Sequence, residues 1–232
     1  MEILVNKISA DLDEAKERLT TYAFSDHRLL AESKRVVDDT PLAALLFITA
    51  SMGRYRSDEL VPIGAGLELL RLAVAAHYPD EKTNRDSRKD FLLISADYFY
   101  ARAIIVAGAL GNGRVIEYMV QAIADVATEH VRKREPDVDG GAPGGKHASL
   151  FKAAVAIGAL LSDCPASAVE PLNVYAEALS GIDDIVLKNN GAPIDNNRAD
   201  EESLTAFRAR LLLSLDAIPL PQARLLEELA YE

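Results

Sequence analysis

The chain predicts an all-α fold, a single-domain helical bundle over residues 1–232. Apolar residues recur at i, i+3, i+4 and i+7 through most of the length, and no run alternates with the period of two that a half-buried strand requires. Gly, Pro and Asn gather where the helical period stops. No internal repeat or compositional shift separates two cores, and 232 residues suffice to bury a sizeable one.

In chain order the periodicity predicts helices over Glu2–Thr20, Asp26–Arg35, Thr40–Met52, Asp58–His77 and Asp90–Leu110. It continues with Asn112–Arg134, Lys146–Leu161, Pro165–Lys188, Glu201–Leu215 and Pro221–Tyr231. Gly111 reads as a helix stop, Asn112 as the cap of the next helix, and Pro165 as a proline at a helix start. Residues 135–146, EPDVDGGAPGGK, are too rich in Gly and Pro for a helix interior and read as the clearest long loop. Residues 189–200, NNGAPIDNNRAD, read as the second.

Charge narrows the function classes. The formal balance is 25 − 36 = −11, which disfavours a nucleic-acid duplex or an anionic membrane as partner. Cys164 is the single cysteine, so no intrachain disulfide forms and a reducing compartment fits. MEILVNK lacks the pattern of a secretory leader, and apolar runs such as PLAALLFITASMG fall short of a membrane span, so the expected location is cytoplasmic. The glycines of residues 140–145 do not make a phosphate-binding P-loop, since no strand precedes them and no G-K-[ST] follows. No His/Cys set has zinc spacing. His77 on its apolar helix reads most simply as a core or rim histidine, and the basic run RKRE (132–135) as a helix end that complements the macrodipole.

Several segments carry a resemblance. GLELLRLAVAAH (66–77) looks like a helix entering an aspartate-rich motif, and LLISADYFYARAIIVAGALGN (92–112) is similar to a segment of the form GDYLLARA, with Asp97, Tyr98, Ala101, Arg102 and Ala103 in register. AIADVATEH (122–130) looks like the segment carrying an E-x-x-Q, here Glu129 and Arg132. GKHASLFKAAVAIGALLSD (145–163) is close to a K-T-A-S-L-F helix, and LPQARLLEELA (220–230) to a closing helix. In this order they resemble the trans-polyprenyl diphosphate synthase family. The resemblance implies the isoprenoid synthase fold and a dimer formed through the bundle. It also implies a chemistry in which an allylic diphosphate ionises in an apolar cavity. Two D-D-x-x-D motifs on facing helices hold magnesium there, because carboxylates at i and i+4 share a helix face, and a Lys/Arg set clamps the leaving group.

This chain departs from that pattern. With His77 matched to the family's histidine, Tyr78, Pro79 and Lys82 occupy the first three aspartate positions. A shift of two residues reads Asp80, Glu81 and Asn84 as D-E-x-x-N. YAEALSGIDDIVLKNNG (175–191) resembles the second motif, but ungapped matching places Leu187, Lys188 and Gly191 on the aspartate positions and Asp183–Asp184 one turn early. SKRVVDDTP (33–41) keeps Lys34 and Arg35 of the basic clamp and carries an acidic insertion at Asp38 and Asp39. Lys34, Arg35, Arg85 and Lys146 are therefore the diphosphate-binding candidates implied by the resemblance, and no residue is assigned a catalytic role. The expectation is a degenerate homologue without a cofactor, serving as a non-catalytic or regulatory subunit in isoprenoid biosynthesis, either as a homodimer or paired with an active synthase. One alternative is an active magnesium-dependent prenyltransferase with Asp80, Glu81, Asn84, Asp183 and Asp184 as metal ligands. Another is an isoprenoid-binding protein.

Overall fold

The structure, a computed structural model, describes residues 2–23, 40–78, 89–132, 147–188 and 198–229. Among these residues there are nine α-helices and no strand. They are α1 (Glu2–Ala23), α2 (Pro41–Ala50), α3 (Ser57–His77), α4 (Lys89–Ala109) and α5 (Gly113–Arg132), then α6 (Ala148–Ser162), α7 (Ala166–Lys188), α8 (Arg198–Leu215) and α9 (Leu220–Leu229). Each end lies within three residues of the sequence expectation. The expected helix Asp26–Arg35 falls outside the described residues, as do Lys133, Arg134 and Lys146 at expected helix ends. Asn112 caps α5 as anticipated, its Oδ1 accepting from the Arg114 N–H at 3.1 Å, and Gly111 takes the left-handed conformation that ends the preceding helix.

The bundle is organised around α3, which packs against α1, α2, α4 and α6. From Leu60 to Val74 every residue except Pro62 is buried. That stretch includes two charged side chains. Glu68 is fully buried, and its Oε2 accepts from Arg71 Nε at 2.7 Å. Its Oε1 accepts from the backbone N–H groups of Leu42 and Ala43 at 2.7 and 3.0 Å. The carboxylate thus satisfies two of the unpaired N–H groups at the start of α2, where its negative charge also suits the helix dipole.

All ten residues of α2 are buried. It lies against α6 so closely that a Cβ on Gly158 would come within 2.8 Å of the Leu46 carbonyl oxygen. On the far side, Tyr175 of α7 is fully buried and donates its hydroxyl to the Leu226 carbonyl of α9 at 2.5 Å. Glu177 pairs with both Lys152 and Arg210, joining α6, α7 and α8.

One expectation needs correction. Helices α3 and α4 are each long and apolar enough to cross a membrane by length and composition. Uninterrupted runs understate them, since a few polar residues scarcely lower the mean of a long helix. Over its apolar window α3 is 78% buried inside the protein, as a core helix is, whereas α4 is only 33% buried. Phe99, Ala103 and Ala107 of α4 join the core, while Ile94 and Ile105 stay outside it.

Glu68→Ala leaves the Arg71 charge buried without its carboxylate, and is expected to cost about 3–5 kcal/mol in urea unfolding. Replacing both residues with Leu recovers only part of that loss, because the Leu42 and Ala43 N–H groups remain without their acceptor.

Candidate functional site

Alternate helices bring their polar termini to one end of the bundle. The ends of α1, α3, α5 and α7 meet the third and fourth turns of α4 and the start of α6 there. At this mouth Tyr98 of α4 donates its hydroxyl to the Tyr22 carbonyl of α1 at 3.3 Å, and the Arg102 guanidinium lies 5.7 Å from the Tyr22 ring centre. His77, the last residue of α3, places Nε2 3.1 Å from Asp97 Oδ1 of α4. Its ring is 5.1 Å from that of Tyr100, at 30°. The next residue, Tyr78, stacks on His130 of α5 at 3.7 Å and 19°. His130 directs Nδ1 at the Val126 carbonyl, 3.0 Å away.

The His130 ring is 6.4 Å from and nearly parallel to that of His147, the buried residue just before α6. His147 Nδ1 in turn lies 3.6 Å from Asp184 Oδ1 of α7. Burial pushes the Tyr100 hydroxyl well above the ordinary tyrosine range, and the nearby Tyr78 and Asp97 add to the shift.

Of the candidates read from sequence, the structure places Asp183 and Asp184, both half-buried on α7 at this mouth. Consecutive helix positions are about 100° apart, so the two carboxylates do not share a face as an i, i+4 pair does. Asp184 is directed at His147. Among the described residues no three of His, Cys, Asp and Glu gather in a metal-holding arrangement, so these residues by themselves do not match a magnesium cluster. Asp80, Glu81 and Asn84 lie outside the described residues. So do Lys34, Arg35, Arg85 and Lys146.

His77 is the rim histidine expected from sequence, with about a quarter of its side chain exposed (23%). His130 and His147 went unremarked in the sequence. The usable signal was topological: a residue ending one helix and a residue starting the next meet at the same end of an up-down bundle. Glu129 and Arg132, matched to the E-x-x-Q, line a groove of about 550 Å³ between α5 and α6 together with Gln121, Asp125, Ser149 and Lys152.

An all-α bundle of this helix order is the isoprenoid synthase fold. Its solved structural relatives are polyprenyl diphosphate synthases. The chain is similar to a decaprenyl diphosphate synthase from Rhodobacter capsulatus, with a TM-score of 0.68 and 18% identity over 99% of this chain and 97% of that one. It is similar also to a geranylgeranyl pyrophosphate synthase from Lactobacillus brevis (TM-score 0.77, 11% identity, 98% and 97% covered). A heptaprenyl diphosphate synthase from Staphylococcus aureus gives 0.70 and 14%, over 97% and 98% of the two chains. Identities this low establish the fold and not the activity. No protein-family model matches the chain, and no curated protein matches it in sequence.

Tyr100 shares its raised ionisation with the partly buried Tyr55 and the buried Tyr175. Tyr175 is shifted by burial, and Tyr55 by burial first and the Asp11 carboxylate second. Tyr55, Tyr100 and Tyr175 are therefore expected to stay protonated above the ordinary phenol value of about 10 in an absorbance titration. A phenol whose folded-state value is raised holds its proton longer than in the unfolded chain. The stability these three contribute is therefore intact below about pH 10 and falls above it. Alkaline unfolding should release all three together.

Proposed function

We propose that the chain is a degenerate polyprenyl diphosphate synthase homologue that works as a non-catalytic or regulatory cytoplasmic subunit in isoprenoid biosynthesis. The observation that carries this reading is Tyr78. The resemblance assigns its position to the first metal-binding aspartate, and its ring is stacked on His130. Asp184, on the helix that resembles the second motif, is directed at a histidine. Tyr78 and Asp184 are thus both engaged with protein groups.

The outer surface supports a subunit role. Ile94, Ala101, Ile105 and Gly108 fall along one face of α4, and Ile94 and Ile105 are 67% and 60% exposed. Val120 of the neighbouring α5 is 48% exposed. An apolar stripe of this length on a helix only one-third buried fits a helix–helix interface, and the proposed occupant is a second copy of this chain. An active synthase that presents the same helices would fit the same face.

A second reading rests on the half-buried Asp183 and Asp184 at the mouth. It makes the chain an active magnesium-dependent prenyltransferase, with Asp80, Glu81 and Asn84 completing the ligand set. Calorimetric titration with magnesium and an allylic diphosphate analogue separates the two. The subunit reading expects no micromolar, magnesium-dependent binding. Such binding, abolished by Asp80→Ala or Asp183→Ala, establishes the enzyme instead. Tight binding without magnesium supports an isoprenoid-binding protein.

Association has its own measurement. Light scattering at low micromolar concentration is expected to give a dimer that Ile94→Asp/Ile105→Asp converts to monomer without loss of helicity. A monomeric wild-type chain that leaves the activity of a co-expressed synthase unchanged removes the support for a subunit role.

A further inference from the structure

Three of the chain's four histidines stand in one row at the mouth, with two tyrosines between and beside them. The row runs from Tyr100 to His77, 5.1 Å apart, and on to Tyr78, 6.0 Å from His77. It then continues through the close stack of Tyr78 on His130 to His147. A carboxylate stands by each outer histidine, Asp97 against His77 and Asp184 against His147. In sequence order the contributors are the end of α3, the third and fourth turns of α4, the end of α5, the start of α6 and the last turns of α7.

We propose that this row is a strut that holds the mouth of the bundle closed without any ligand, with the Tyr78–His130 stack as its centre. Helix termini carry backbone groups without intrahelical partners and open first in native-state fluctuations. Termini from four helices meet here, and the ring contacts and the His147–Asp184 pair link them in series. Tyr78 is placed by the last hydrogen bond of α3, its N–H donating to the Val74 carbonyl at 3.0 Å, so its ring extends the rigid core helix. Centroids 3.7 Å apart leave no room for a ligand atom between Tyr78 and His130. A group entering between the α3 and α5 ends must first part that stack. The strut holds for a non-catalytic subunit and for an enzyme alike, so its test is independent of the functional reading above.

Hydrogen exchange read by mass spectrometry on the full chain tests it. In the ligand-free wild type the amides at the α3 end, the α6 start and the α7 end are expected to be protected. Magnesium with inorganic diphosphate should leave them unchanged. Tyr78→Ala and His130→Ala are each expected to speed exchange there roughly three- to tenfold while leaving α2 and the α3 start as they were. Tyr78→Phe keeps the ring and should keep the protection. Two outcomes overturn the strut. One is wild-type amides that exchange freely until magnesium and diphosphate are added, a result that needs no variant. The other is a Tyr78→Phe variant that loses protection as fully as Tyr78→Ala.

Discussion

The buried Glu68–Arg71 pair is the constraint on which the rest of the bundle depends. Two charges inside an apolar core are tolerated only when their hydrogen-bonding capacity is met, and here one carboxylate meets three donors at once. Oε1 closes the start of α2, and Oε2 holds Arg71 one turn along α3. That arrangement fixes α2 against α3 in rotation as well as position, because a shift of either helix would strand a charge or two N–H groups. Thr40, the residue before α2 and of a type that often caps helices, makes no such bond. The cap comes instead from Glu68, 26 positions beyond Leu42.

With α2 and α3 fixed, close packing sets the remaining helices. The absence of a Cβ at Gly158 lets α6 approach the α2 backbone, and at Gly181 it lets the Phe207 ring of α8 lie on α7, where a Cβ would meet the ring at 2.5 Å. The consequence reaches the mouth. Gly181 lies two residues before Asp183, so the approach of α8 sets the path of α7 just where Asp184 comes opposite His147. Fixing α3 likewise decides where Tyr78 emerges, and hence that it meets His130.

The contrast with a metal-dependent mouth is one of chemistry. Carboxylates at i, i+4 on facing helices repel one another and need a divalent cation and an anionic ligand to bring them together. Rings and imidazoles at the same helix ends attract without one, and each terminal histidine here has a carboxylate at hand. A mouth built this way has its cohesion in the protein itself.

The sequence by itself determined the all-α class and, among the described residues, the helix order and the helix ends to within three residues, because 3.6-residue periodicity and the Gly, Pro and Asn stops act over a few neighbouring residues. It also placed Asp183 and Asp184 on the helix that reaches the mouth, and Asp97 on the helix that begins there. Only the tertiary structure decided what those groups touch. His77 with Asp97, Tyr78 with His130 and His147 with Asp184 are separated by 20, 52 and 37 residues, and no local pattern encodes such pairings. The outer face of α4 shows the same division. Sequence marks Ile94, Phe99 and Ile105 as equally apolar, yet Phe99 is buried and the two isoleucines are exposed. Which side of an apolar helix meets the core is settled by its neighbours, and periodicity fades as an indicator when a helix is apolar on every side.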